Sequence, residues 1–257
     1  MEAKKTILVT NDDGIEAKGL FALIDAVESL GEIIVVAPAE PQSGMSHAIT
    51  VKHPLRIKKH SIYKGIQLYS VNGTPVDCVK IAMNRIIKKR PGLIVSGVNH
   101  GSNTASSVLY SGTLGAALEG GINRVPAIGY SYDSFDHDAE IDIHTDYIRK
   151  ITAKVIEHGL PDHICLNVNI PAVKTDDIKG VKICRQNIGY WVEEYDKRVD
   201  PAGKEYYWLT GKYENTEPDA TDTDEWAIKN NYIAIVPLRT DLTCYKTLDT
   251  IKKWEIK

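Results

Sequence analysis

The sequence predicts an α/β protein built on a mainly parallel sheet with helices on both faces. Three observations carry this expectation. Short β-rich runs alternate with segments of helical periodicity across residues 6–171. Several of those runs are apolar throughout rather than alternating, as parallel strands covered on both faces are. The intervening segments are long enough for crossover helices.

The elements follow in chain order. "TILVT" (6–10) is a short strand. "KGLFALIDAVESLG" (18–31) places Leu20, Leu23, Ile24, Val27 and Leu30 on one helical face and closes on Gly31. "EIIVVAP" (32–38) is a buried strand. "HAITVKHPLRIKKH" (47–60) alternates and reads as a more exposed strand, and "IQLYSV" (66–71) as the next one. "NGTPVDCVKIAMNRII" (72–87) opens a helix, with Thr74 as cap, Pro75 first and Asp77 at the positive end. "GLIVSGV" (92–98) is a strand, "SGTLGAALEGGI" (111–122) a helix of small residues, and "VPAIGYS" (125–131) a strand. An amphipathic helix (141–159) and the strand "HICLNVNIP" (163–171) complete the alternating part.

The pattern changes near residue 180. Residues 186–213 read as two Tyr- and Trp-rich strands around the turn "DPAG", an arm whose aromatics need something to pack against. A polar stretch (214–226), the apolar strand "YIAIVPL" (232–238) and a terminal helical segment, "LDTIKKWEIK", follow. The expected division is a catalytic core over 1–185, a hairpin arm and polar loop for oligomerisation over 186–231, and a return strand with a C-terminal segment over 232–257.

Composition excludes several classes. The 257 residues are 43% hydrophobic and 25% charged, with a formal net charge of −3. They carry no face-wide basic excess, so no stable nucleic-acid partner is expected. "RIKKH" (56–60) and "RIIKKRPG" (85–92) read as a solvated strand edge and helix end. No apolar run is long enough for a bilayer and no signal-peptide core is visible, so no membrane partner is expected. Cys78, Cys165, Cys184 and Cys244 form no C-x-x-C pair, which fits reduced thiols and a cytoplasmic location.

In open parallel sheets ligands bind beyond the carboxyl ends of the strands. The first strand runs into "NDDG" (11–14), the second into "APAEPQSGMS" (37–46) with Ser43 and Gly44, and "GLIVSGV" into "NHGSN" (99–103) with Asn99 and Asn103. Two adjacent carboxylates at the end of an internal strand repel each other and lose hydration. A divalent cation would resolve that, and Asp, Ser and Asn oxygens suit Mg²⁺, Mn²⁺ or Ca²⁺. Past the strand, a turn eased by Gly14 lets Asp12 and Asp13 converge on one ion. In "YSGTLGAA" (110–117), Ser111, Gly112 and Thr113 stand where a helix begins, an arrangement that receives phosphate. A cation beside a phosphate cradle implies phosphoryl chemistry.

Each feature has a plainer reading. Asp12 and Asp13 suit a helix cap, Ser43 a loop, Asn99 a turn and "SGT" a cap. The combination outweighs the parts, because the sheet rule gathers them at one edge. His100, beside Asn99, and His47, soon after Ser43, are candidate acids or bases, although a lone histidine is more often structural. Neither the dinucleotide fingerprint nor the Walker A pattern matches.

The stretches "ILVTNDDGI", "VVAPAEPQSGMSHAIT", "VNGTPVDCV", "LIVSGVNHGSNTASSVLYSGTLGAALEG", "LNVNIP" and "YIAIVPLRTDLT", in this order, resemble the SurE family, the stationary-phase survival proteins that act as 5'-nucleotidases. The resemblance implies metal-dependent hydrolysis of nucleoside monophosphates, with 3'-nucleotides or short polyphosphate accepted by some members. It implies one divalent ion per subunit, Mg²⁺ or Mn²⁺, on Asp12, Asp13, Ser43 and Asn99. Phosphate would rest on Gly44, Asn103, Ser111, Gly112 and Thr113. The implied fold is Rossmann-like, with a C-terminal extension exchanged between subunits in a homodimer or homotetramer. Asp12 or Asp13 would orient or deprotonate the attacking water, and a covalent aspartyl-phosphate is the alternative route. A rival from another class is a non-enzymatic metal- and phosphate-binding sensor, since receiver domains also end a first strand on an acidic pair. The second phosphate cradle argues against it.

Overall fold

The computed structural model describes residues 5–136, 139, 144–254 and 256. Its first strand, β1 (Thr6–Thr10), shows why the chain makes a covered sheet. Ile7 and Val9 pack on one face with Leu20, Leu23 and Ile24, and with Ile148 and Val155; Leu8 packs on the other with Val79, Leu114 and Ala117. Period-2 alternation with apolar residues on both sides buries the strand from Ile7 through Thr10.

Among the described residues nine strands form the main sheet, in the order β3-β4-β2-β1-β5-β6-β7-β11-β8. These are β2 (Glu32–Pro38), β3 (Ile57–Tyr63), β4 (Ile66–Val71), β5 (Leu93–His100), β6 (Ala127–Tyr132), β7 (Ile164–Ile170), β8 (Val181–Ile183) and β11 (Ile233–Arg239). The pairs from β4 through β7 are parallel, as is β11 with β8; β3 with β4 and β11 with β7 are antiparallel. α1 (Lys18–Val27) and α4 (Thr145–His158) cover one face. α2 (Pro75–Ile81), α3 (Gly112–Ile122) and α5 (Asp224–Lys229) cover the other. Strands β9 (Gly189–Val199) and β10 (Glu205–Asn215) form a separate two-stranded antiparallel sheet. The hairpin expected over 186–213 is therefore present, and it carries exposed Tyr190, Trp191, Tyr195, Tyr207, Trp208 and Leu209. α6 (Tyr245–Ile251) ends the ordered helices, and no helix among the described residues is long and apolar enough to cross a membrane. All four cysteines are unpaired.

Several boundaries differ from expectation. Residues 47–56 form no strand, and β3 begins only at Ile57. Pro54 lacks an N–H for a ladder, and side chains take the groups that a strand would use. Thr50 N–H donates to both Asp77 carboxylate oxygens (3.1 and 3.2 Å), Arg56 N–H to Asn72 Oδ1 (2.6 Å), and Ala48 C=O accepts from Thr74 Oγ1 (2.7 Å). The helix expected over 72–87 is α-helical through Ile81 and continues as a π turn over Ala82–Ile86. The polar stretch 214–226 does not end as a loop, because Thr223 caps α5 by accepting from Trp226 N–H. The C-terminal helix starts earlier, at Tyr245, and stops at Ile251. Residues 141–143, the expected start of α4, lie outside the described residues.

Thr74 and Asp77 form a reciprocal cap on α2, and Asp77 also holds Thr50. Asp77→Ala is expected to leave buried N–H groups without acceptors, lowering unfolding free energy by about 2–3 kcal/mol in urea denaturation.

Candidate active site

The carboxyl ends of β1, β2 and β5 converge at one sheet edge, and the loop after β1 makes the centre. Asn11 Nδ2 donates to Gly14 C=O (2.8 Å), and Ile15 N–H donates to Pro38 C=O (2.9 Å). Gly14 takes φ +98°, which a side chain would strain. This tight turn lifts Asp12 and Asp13 out of strand alternation.

Asp12 is 3% exposed. Thr113 donates both its hydroxyl and its backbone N–H to the Asp12 carboxyl. The N-terminus of α3 thus aims its unpaired N–H groups and dipole at this acid. Gly112 lies against it: a Cβ there would sit 2.9 Å from Asp12 Cβ, 3.0 Å from Oδ2 and 3.2 Å from Pro75 Cγ. Burial pushes the Asp12 carboxyl up to about 6, the Thr113 bonds oppose that rise, and the Asp13 charge adds to it. A buried carboxyl pushed up to about 6 beside a second acid is one whose charged form a nearby cation would favour.

The second loop is joined to the first through its backbone, by Gln42 N–H to Asp12 C=O (2.7 Å). Ser43 follows in an exposed turn, with Gly44 at φ +75° and Met45 N–H on Gln42 C=O (3.3 Å). The far side of the loop docks on α3. Ser46 N–H donates to Tyr110 C=O (3.0 Å) and Ser46 Oγ to Leu109 C=O (2.6 Å). His47 Nε2 lies 3.3 Å from Glu119 Oε2. Burial works against the Glu119 charge, yet the bonds from His47, Lys80 and Asn123 hold its carboxyl below the usual range. His47 is therefore a tie between loop and helix.

The third loop starts inside β5. Its register with β6 shifts between Ser96 and Asn99, at Gly97 (φ +129°), where any Cβ would collide with Tyr130 C=O. This bulge re-aims the strand end. Asn99 Nδ2 donates to His100 C=O (3.0 Å) and Gly101 C=O (2.8 Å), so Oδ1 is the atom it can offer a ligand. His100 is the last residue of β5. Asn103 is held in a buried amide network: its N–H donates to Asn169 Oδ1 (2.7 Å), its Nδ2 to Ser131 Oγ (2.8 Å), and its C=O accepts from Asn167 Nδ2 (2.7 Å). Ser111 caps α3 by accepting from Leu114 N–H (3.2 Å).

The structure thus joins Asp12, Gly112 and Thr113 directly, reaches Ser43 and Gly44 through Gln42, and groups Asn99 and Asn103 around β6. Ser131, Asn167 and Asn169 were not singled out in the sequence, although "NVN" places two amides on one face of a buried strand. Asp224 and Glu225 were also missed. Asp224 is fully buried and accepts from Ala105 N–H (3.0 Å) and Asn187 N–H (2.8 Å), while Glu225 accepts from the Thr104 hydroxyl. Together they clamp the 104–105 turn to the base of the hairpin. A helix-start pattern, "TDTDE", was the available signal.

Among the described residues no group of three or more His, Cys, Asp and Glu is arranged to hold a metal. The Asp12, Asp13, Ser43 and Asn99 set has only two acids, completed by a hydroxyl and an amide oxygen. Its chemistry fits a hard divalent ion, and the clearance at Gly112 leaves Asp12 Oδ2 uncovered by a Cβ.

Residues 7–193 match the family model "Survival protein SurE". A protein of Flavobacterium psychrophilum named 5'-nucleotidase SurE is 49% identical over 255 residues, covering 99% of each chain. One of Bacteroides fragilis with the same name is 44% identical over 257 residues and covers 100% of both. The crystal structure of the SurE protein from Aquifex aeolicus superposes with a TM-score of 0.82 at 37% identity, covering 96% of this chain and 98% of that one.

Proposed function

Since this chain belongs to the SurE family, we propose that it is a 5'-nucleotidase that needs one divalent ion, Mg²⁺ or Mn²⁺, to release phosphate from nucleoside 5'-monophosphates. The observation that carries this reading is Asp12, a buried acid held by the first turn of α3 beside a second acid.

Asp12, Asp13, Asn99 Oδ1 and Ser43 Oγ would hold the ion, which would supply a Lewis acid that draws charge from the phosphoryl oxygens. Asp12 is fixed by two Thr113 bonds and serves as the anchor. Asp13 is only half-buried, and we assign it to the attacking water, whose proton it takes. The first turn of α3 at Ser111 and Gly112, with Gly44 and Asn103, receives the remaining phosphate oxygens, while Thr113 holds Asp12. Preorganised donors favour the transition state, where charge on those oxygens is greatest. As the P–O5' bond breaks, the proton taken by Asp13 passes through solvent to the departing 5'-oxygen, so the nucleoside recovers its 5'-hydroxyl and the phosphate keeps the water oxygen.

The exposed aromatics of the β9–β10 hairpin support a role for 186–231 as an arm exchanged between copies in a dimer or tetramer. We also propose 3'-nucleotides and short polyphosphate as secondary substrates, because the site is built around the phosphate.

The test is phosphate release from a panel of 5'- and 3'-nucleoside monophosphates with Mg²⁺, with Mn²⁺ and with chelator. Release from 5'-nucleotides that chelator abolishes is the expected result. A folded protein that releases none with either metal would leave a binding module.

A further inference from the structure

Ser43 and Gly44 stand on a short span between two anchors. Upstream, Gln42 N–H donates to Asp12 C=O (2.7 Å). Downstream, Ser46 N–H donates to Tyr110 C=O (3.0 Å) and Ser46 Oγ to Leu109 C=O (2.6 Å). Leu109 and Tyr110 are the two residues before the cap Ser111. The loop that offers Ser43 is thus pinned at one end to the acid loop and at the other to the start of the phosphate helix.

The downstream anchor is built from two elements. Ser46 takes φ +54°, a conformation that an L side chain adopts at a cost. α3 meets it with Gly115, where a Cβ would sit 2.3 Å from the Ser46 carbonyl oxygen and 3.3 Å from His47 Cα. Only glycine lets the loop backbone lie on the helix at this point. One turn further along the same face, Glu119 Oε2 lies 3.3 Å from His47 Nε2. Glu119 is 2% exposed and its other oxygen, Oε1, accepts from Lys80 Nζ (2.9 Å) and Asn123 Nδ2 (2.8 Å). The carboxylate is therefore fixed before His47 reaches it.

We propose that Ser46, His47, Gly115 and Glu119 are positioning residues: they latch the Ser43–Gly44 loop onto α3 and so set the spacing between a ligand of the ion and the phosphate cradle. This deepens the reading that Ser43 holds the ion and that Gly44, Ser111 and Gly112 meet the phosphate, and rests on it. A displacement of about 1 Å is enough to cost a hundredfold in rate. With only Ser43, Gly44 and Met45 between the anchors, a released anchor passes directly to the ligand.

The test uses the full-length chain, Gly115→Ala, His47→Ala, His47→Gln and the double variant Gly115→Ala/His47→Ala. It measures phosphate release from adenosine 5'-monophosphate, Mn²⁺ affinity by electron paramagnetic resonance without substrate, and urea midpoints. Gly115→Ala pushes the outer loop away from a helix packed in the core, and is expected to lower kcat/KM at least tenfold and to weaken Mn²⁺ binding. His47→Ala should lower both by a smaller factor with a urea midpoint near wild type, because Glu119 keeps Lys80 and Asn123. His47→Gln, whose amide can donate to Glu119, should restore most of the loss. The double variant should fall no further than Gly115→Ala alone, because both release one anchor. Wild-type kcat/KM and Mn²⁺ affinity in Gly115→Ala and His47→Ala would overturn the latch. So would a glutamine as weak as the alanine, losses that multiply in the double variant, or losses that follow the urea midpoint while Mn²⁺ affinity holds. A wild type that binds Mn²⁺ without releasing phosphate ends the phosphatase reading and leaves Mn²⁺ affinity to decide the latch. A wild type that does neither overturns both.

Discussion

Asp12→Asn is expected to lower phosphate release about a thousandfold while making the metal-free protein more stable at alkaline pH. The first effect follows from removing an anionic ligand at the centre of the site. The second follows from linkage. The carboxyl titrates near 6 in the folded chain against an ordinary value of 3.8, because burial outweighs the Thr113 bonds. Its contribution to stability is fully present below 3.8 and is lost as the pH rises through about 6. At pH 8 the folded metal-free chain therefore carries a cost of about 3 kcal/mol, at 1.36 kcal/mol per unit. A neutral amide avoids that cost and can still accept from Thr113. Thermal unfolding in chelator should show the variant above the wild type at pH 8 and level with it at pH 4. Added Mn²⁺ should raise the wild type alone, reversing the order. Equal stability at pH 8 in chelator would show that Asp12 is not strained by its burial.

Gly97→Ala is expected to destabilise the chain by about 3 kcal/mol or more. At φ +129° an L side chain is strained, and the new Cβ would strike Tyr130 C=O in the neighbouring strand. Neither partner can yield cheaply, because both are backbone within a buried sheet. The bulge also sets Asn99, so surviving folded protein should bind Mn²⁺ more weakly. Gly203→Ala is the internal comparison. Gly203 has φ +79° at the tip of the hairpin with open space around it, so only the conformational cost of about 1 kcal/mol applies. Equal urea midpoints for the two variants would remove the clash from the account.

The contrast between these glycines shows what was legible in the sequence. Strands β1 and β2 and the start of β5 are nearly continuous apolar runs, so their positions could be read directly. The acidic pair was legible because it follows such a run. Residues 47–56 alternate like a strand, but Asp77 and Asn72 capture their backbone groups from far along the chain, which no local pattern reveals. Strand β8 is three residues long and α5 only six, too short for periodicity to register. The support for Asn103 depends on the β6–β7 register, in which Ser131 stands opposite Asn169. Thr113 was expected to face phosphate, and its hydroxyl instead fixes Asp12. Deciding between those roles required the angle at which α3 meets β1, a tertiary quantity.

The most direct measurement is a titration of Mn²⁺ into the metal-stripped chain, with bound ion read by electron paramagnetic resonance and phosphate release from a nucleoside 5'-monophosphate read in the same samples. The account predicts that both rise together to one ion per chain and that Asp12→Asn abolishes both. Full release in chelator, or wild-type Mn²⁺ binding by Asp12→Asn, would contradict it.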